Sequence, residues 1–309
     1  MAVGQDVDRG RDTGGGAVDA AERDATGPDA TVVGATVSEF EEVRPAPPLR
    51  RYVHSYCGYR LAGFGPGIHV GMPSRHLTVI LTIDEPLDVS GPVDPAGPVE
   101  RYDTLIGGLH DGPVHIHHDG FQHGIQLSLT PLGARALFGV PSADLASTVV
   151  ALDSVLGRAA GEIHERLHDA ATWSDRFAVV DEVLGGHLEE PRPPRPEVIG
   201  TWDLLAATAG GVGVSDIARE LGWSRRHLSA VFRDEIGLSP KVVGRIMRFE
   251  RSKDLVTAGA PSLADVAARS GYADQAHLAR DWRDLAGASP TAWMRGEEFP
   301  IVQDERLRT

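Results

Sequence analysis

Two short stretches carry side chains fit for reading a nucleic acid. One holds Arg225, Arg226, Ser229, Ala230 and Arg233; the other holds Gln275, Ala276, His277 and Arg280. The arginine fork can bond two acceptors of guanine or a phosphate, glutamine suits adenine, and an alanine methyl can meet thymine. If each stretch is a helix, residues three and four apart share one face, so these groups project together. The chemistry of such a face is recognition, and no catalytic role is assigned to it.

A second group is the histidine run His110, His115, His117, His118 and His123, five within 14 residues. On a strand His115 and His117 project to the same side, as a metal-binding His-x-His does in enzymatic cupins. That pattern next requires a glutamate, and Phe121 and Gln122 stand there instead. No metal or cofactor is therefore expected. His115, His117 and His123 remain candidate contacts for a small polar or anionic effector, because imidazole changes charge near neutral pH.

The elements that must hold the first group are two copies of one unit. VSDIAREL, Gly222-Trp223, SRRHLSAVFRDEIG and Ser239-Pro240 are echoed by LADVAARS, Gly271-Tyr272, ADQAHLARDWRDLAG and Ser289-Pro290. Ala218 and Gly222 fall on Ala267 and Gly271 at a spacing of 49; one insertion later, His227-Leu228 and Gly237 fall on His277-Leu278 and Gly287 at 50. Val214, Ile217, Ala218 and Leu221 form one apolar helical face, and Gly222 permits a sharp turn. Ser224 can cap a following helix with Leu228, Val231 and Phe232 inward, and Gly237 with Ser239-Pro240 ends it. In the second copy Ser262 and Asp265 fit a capping box, and Leu278 and Trp282 point inward. A helix from Lys241 to Val256, about 16 residues and roughly 24 Å long, joins the copies and can hold them at a spacing commensurate with one turn of B-DNA, about 34 Å.

On GWSRRHLSAVFRDEIGLSPKVVGRIMRFERSKDLV and GYADQAHLARDWRDLAGASPTAW, residues 200–296 resemble the DNA-binding domain of AraC/XylS-type transcriptional regulators. The resemblance implies a bipartite helical domain with recognition helices at about 224–236 and 274–286. It also implies base-reading positions at Arg226, Ser229 and Ala230, then Gln275, Ala276, His277 and Arg280. Ala230 and Ala276 can offer only apolar contact. Trp282 stands where the family usually has phenylalanine, a change confined to the core.

The net charge of −14 lies wholly in residues 1–199, while residues 200–299 balance. Specificity then rests on a few placed arginines rather than on a basic coat. The single cysteine, Cys57, excludes an internal disulfide and a multi-cysteine zinc site, and its alternating aromatic surroundings mark it as a buried strand residue. No long apolar run or signal pattern is present, so a soluble, cytoplasmic protein without membrane contact is expected.

The fold class expected is α+β: a β-rich, cupin-like N-terminal domain with a helical appendage, then an all-α double helix-turn-helix domain. Residues 1–35, rich in Gly, Ala and Asp, read as a disordered tail. Short β-favouring runs between Gly/Pro clusters span 36–142 and imply an antiparallel sandwich or barrel. Residues 143–190 read as a helical pair, a Ser174 cap opening the second helix. By family resemblance the pair is a dimerisation element; by spacing alone it equally covers the sheet. A stiff Pro-rich linker covers 191–197, the DNA-binding domain 198–299, and Pro300–Thr309 reads as a frayed tail.

These readings converge on a sequence-specific regulator binding double-stranded DNA as a homodimer under a small-molecule effector, with RNA polymerase a candidate further partner. The rivals are a metal-dependent cupin-type enzyme and a constitutive DNA-binding protein whose β domain only dimerises.

Overall fold

The structure is a computed structural model that describes residues 36–91, 97–189 and 193–296. The expected disordered tail, the last residues of the chain and the first part of the Pro-rich linker lie outside that range.

Among the described residues ten antiparallel strands come first: β1 (Val37–Val43), β2 (Val53–Ala62), β3 (Gly67–Gly71), β4 (Leu77–Thr82), β5 (Leu87–Ser90), β6 (Val99–Tyr102), β7 (Thr104–Gly107), β8 (Val114–His118), β9 (Gln122–Leu129) and, after a helix, β10 (Val149–Ala151). They form a six-stranded sheet in the order β1-β2-β9-β4-β7-β10 and a four-stranded sheet in the order β3-β8-β5-β6. Alternation decides what each face does. Cys57, Tyr59 and Leu61 of β2 point with Ile80 and Leu105 toward Leu87, Val89, Val114 and Ile116 of the smaller sheet, making the core between the sheets. Tyr56, Val79, Leu81 and Ile106 point the other way, into a second core covered by helices. At the end of the larger sheet's strand order among the described residues, β1 presents Glu39, Glu41 and Glu42, all exposed.

The helices are α1 (Pro131–Phe138), α2 (Asp153–Leu156), α3 (Arg158–Asp169), α4 (Trp173–Gly186), α5 (Pro196–Ala207), α6 (Val214–Glu220), α7 (Arg225–Ile236), α8 (Pro240–Thr257), α9 (Leu263–Arg269), α10 (Gln275–Ala286) and α11 (Pro290–Gly296). No described helix is long and apolar enough to cross a membrane.

The α+β class holds, with three local corrections. Helix α1 interrupts the segment read as strands, where LGARALF follows a proline at the first turn. Strand β10 lies inside the segment read as helical, because Val149 and Val150 extend the sheet beside β7. Helix α4 is capped by Thr172, whose hydroxyl accepts from the Asp175 N–H at 3.2 Å, rather than by Ser174.

Helices α3 and α4 spend their apolar faces on the sheet. Ile163, Leu167, Phe177, Val180 and Leu184 are buried in the helix-covered core. The Tyr56 hydroxyl donates to Asp181 Oδ1 at 2.9 Å, and Trp173 lies so close to β2 that a Cβ on Gly58 would sit 2.5 Å from its ring. The outward face carries the exposed acids Glu162, Glu165 and Glu182, with Arg166 bridging the first and last.

That same core continues without a break into Val198 and Leu205 of α5 and Ile217, Ala218, Leu228 and Phe232 of the first helix-turn-helix. The second has its own cluster, Phe249, Val266, Leu278, Trp282 and Leu285, which takes in Met72 from the β3–β4 connection. The described N-terminal residues thus pack against both halves.

Candidate nucleic-acid interface

Each half is built by the same local devices. After α6 the chain turns at Gly222, with φ at 70°, and the Trp223 N–H donates to the Ala218 carbonyl at 2.8 Å. After α9 it turns at Gly271, with φ at 76°, and the Tyr272 N–H donates to the Ala267 carbonyl at 2.9 Å. A side chain disfavours that left-handed backbone, which accounts for glycine at both places. Ser224 then caps α7 by accepting from the His227 N–H at 3.2 Å, and Asp274 caps α10 by accepting from the His277 N–H at 2.7 Å.

Leu228, Phe232 and Ile236 bury one side of α7; Leu278, Trp282 and Leu285 bury one side of α10. The opposite sides hold the residues singled out from sequence. Arg225, Arg226, Ala230 and Arg233 are exposed and Ser229 is half-buried; Gln275, Ala276 and Arg280 are exposed and His277 is half-buried. Trp282 is fully buried, and its indole N–H donates to Ser252 Oγ at 2.8 Å.

Charge pairing separates the second helix of each half from the first. On the first helices, Arg219 bonds Asp216 at 2.8 Å and Arg269 bonds Asp265 at 3.0 Å. Arg245 of α8 bridges Asp281 at 2.9 Å and Asp284 at 2.6 Å. Among the described residues Arg225, Arg226, Arg233 and Arg280 make no ion pair and no side-chain hydrogen bond. Guanidinium groups left without carboxylates on an exposed helix are available to an external anion.

The N-terminal domain contains a cavity of about 520 Å³ at one end of the space between the sheets. His117 and His123 line it, whereas His115 does not, so the three histidines do not converge. His117 Nε2 lies 3.2 Å from Ser90 Oγ. His123 Nδ1 lies 2.7 Å from Asp84 Oδ2, and its Nε2 lies 3.1 Å from Arg176 Nη1 on α4. A guanidinium can only donate, so Nε2 accepts, Nδ1 carries the proton and donates to Asp84, and the ring is neutral. Burial pushes the His123 pKa below its usual value, with the Asp84 contact opposing.

Sequence reasoning did not find the other polar walls of this cavity. Arg101 and Asp88 pair across β5 and β6 at 2.7 and 2.8 Å, and the Gln122 amide nitrogen is buried there without a partner among the described residues. Arg176, far along the chain, gave no local signal. Nor did Arg135 and Arg75, which reach α7 at Glu235 and α8 at Glu250.

Two helix-turn-helix units joined by α8 define the class. Residues 217–296 match the family described as a helix-turn-helix domain. With the repeat and the motifs above, they are a helix-turn-helix domain of the AraC type. The chain is 26% identical over 120 residues to the Msm operon regulatory protein of Streptococcus mutans, a match covering 38% of this chain and 43% of that protein. It is 30% identical over 117 residues to the probable thc operon regulatory protein of Rhodococcus erythropolis, covering 36% and 35% respectively. The match thus spans less than half the length of either relative. Among solved structures it is similar to ToxT from Vibrio cholerae, with 11% identity, a TM-score of 0.48, and coverage of 83% of this chain and 98% of that one.

Proposed function

We propose that this protein is a sequence-specific DNA-binding transcriptional regulator whose N-terminal domain takes a small-molecule effector. The observation that carries the reading is the contrast in pairing: first-helix arginines are engaged with aspartates, and second-helix arginines in both halves are not. The assigned contacts are Arg225, Arg226, Ser229, Ala230 and Arg233 on one helix and Gln275, Ala276, His277 and Arg280 on the other. The relatives named as operon regulatory proteins support the same reading.

The effector cavity mixes an Arg101–Asp88 pair, the imidazoles of His117 and His123 and the open Gln122 amide. That lining suits a small, hydrogen-bonding molecule rather than a long apolar one. The protein acts by binding and not by catalysis, in the cytoplasm, as a homodimer, with RNA polymerase as a further partner. The outward face of α3 and α4, the helical pair read as a candidate dimerisation element, carries Glu162, Glu165 and Glu182, so a homodimer formed there would rest on polar rather than apolar contacts.

The test is selection of bound fragments from a random duplex library, followed by footprinting. A defined motif supports the reading, and recovery of unselected sequence overturns it. A metabolite screen by thermal shift then tests the cavity, and a β domain that only dimerises gives no stabilisation by any compound.

A further inference from the structure

The internal repeat sets one residue at the same point of both exposed helices: His227 and His277 each occupy the third position, of α7 and α10. Their settings match. Each backbone N–H is already taken by the cap three residues earlier, at 3.2 Å in one half and 2.7 Å in the other. Each ring rests against the aromatic ring that follows the turn glycine. His227 lies 4.5 Å from Trp223 between centroids, and His277 stands edge-on to Tyr272 at 5.1 Å. Trp223 packs on the first core and Tyr272 is buried in the second, so both imidazoles are braced from beneath.

Neither imidazole has a hydrogen-bond partner for its ring nitrogens among the described residues. The charged groups of the surrounding elements are largely committed. Arg219 and Arg269 are held by Asp216 and Asp265, Asp281 by Arg245, and Arg248, lying over the Tyr272 ring, donates to the Gly210 carbonyl. On their own helices the histidines stand beside the exposed Arg225, Arg226 and Arg280, with Asp274 at the cap and Glu220 ending α6. Braced rings with open nitrogens, next to unpaired arginines, are poised for an anion.

We propose that His227 and His277 are a matched pair of DNA-backbone contacts, each donating a ring N–H to a phosphate at the rim of the groove its helix enters, so that binding takes up protons. The inference rests on the DNA-binding reading above. A braced ring loses little rotational freedom on binding. An imidazole ordinarily titrates near pH 6.5, and a phosphate at hydrogen-bond distance favours its charged form. The bound-state pKa is then the higher one, so the gain in affinity is complete below the free value and disappears as pH rises through the bound value.

Calorimetric titration of the full chain with a mixed-sequence duplex of about three helical turns, at low salt in two buffers of different ionisation enthalpy, counts the protons. Because phosphate contacts carry no sequence information, no operator is needed. For a one-unit rise above the reference imidazole value, uptake should reach about half a proton per histidine near pH 7 and vanish about one and a half units higher. His227→Gln and His277→Gln keep a donor but cannot titrate. Each should remove about half of the uptake and about threefold of the affinity at the lower pH, the part of a one-unit shift that is expressed there, and converge on wild type at the higher. Equal losses at both pH values, with a lowered melting temperature, would mean a purely structural role and overturn the proposal. A wild type that binds without proton uptake also overturns it, and leaves the DNA-binding reading standing. No binding at either pH overturns both.

Discussion

Arg135 on α1 grips Glu235 on α7 through two parallel hydrogen bonds, Nε to Oε1 at 2.7 Å and Nη2 to Oε2 at 2.9 Å. Beside it the buried Ser142 hydroxyl donates to the Ile236 carbonyl at 3.1 Å. The C-terminal end of α7 is thus fastened to the N-terminal domain, while Arg225 and Arg226 at its other end make no ion pair among the described residues. The connecting helix α8 is fastened separately, where Arg75 Nε meets Glu250 Oε2 at 2.5 Å.

The Arg135–Glu235 pair is part-buried and two-pronged, so it should couple more strongly than an exposed ion pair. A double-mutant cycle with Arg135→Ala and Glu235→Ala, read by denaturant unfolding, should give a coupling of about 1–2 kcal/mol. The reversed pair, Arg135→Glu with Glu235→Arg, should recover part of it. A coupling near zero would show that the contact does not hold the helix.

Arg226→Ala and Arg280→Ala should each cost roughly 1–3 kcal/mol of specific DNA affinity and relax preference at separate half-sites about one helical turn apart. Footprinting with single-base operator variants reads both effects. A uniform loss on every sequence would place these arginines on phosphate only.

Trp282 is bonded to Ser252, whose hydroxyl also donates to the Phe249 carbonyl at 2.7 Å. Trp282→Phe leaves a gap in the second core and should cost about 1–3 kcal/mol. Ser252→Ala strands a buried indole N–H and should cost about 1–3 kcal/mol. Since the two share one bond, the double variant should be less damaged than the sum. Simple additivity of the melting-temperature shifts would refute the shared bond.

Acid should weaken the N-terminal domain. Burial pushes His69 down to about 3, with His118 adding to the effect, and lowers His123 and His118. In each case the unfolded chain binds the proton more readily. Their contribution is therefore complete above the unfolded value, near pH 6.5, and is lost progressively as pH falls toward the folded values. Unfolding free energy measured across that range should decline with falling pH. His123→Gln should flatten part of the decline, and an unchanged slope would exclude His123 from it.

The recognition helices were legible because their causes are local: a turn glycine, a cap residue, an inward stripe, a stop, all written twice. Trp282 could be assigned to the core by register alone. The histidine run was less informative, since strand alternation says which residues share a side and not which strand lies opposite. It could not reveal that His123 would join Asp84 and Arg176 while His115 stayed out of the cavity. The contacts fastening the two domains were invisible for the same reason, because Arg135 and Glu235 lie 100 residues apart. Thr172 and β10 were missed where competing caps and short valine runs admit more than one local answer.

The glutamates along β1 have a further effect. An unprotected sheet margin invites another chain to add its own strand, and repetition of that step builds fibrils. Here any identical margin brought alongside would set carboxylate against carboxylate, a repulsion that discourages polymerisation. The end strand of the larger sheet thus carries charges that oppose edge-to-edge pairing with an identical strand.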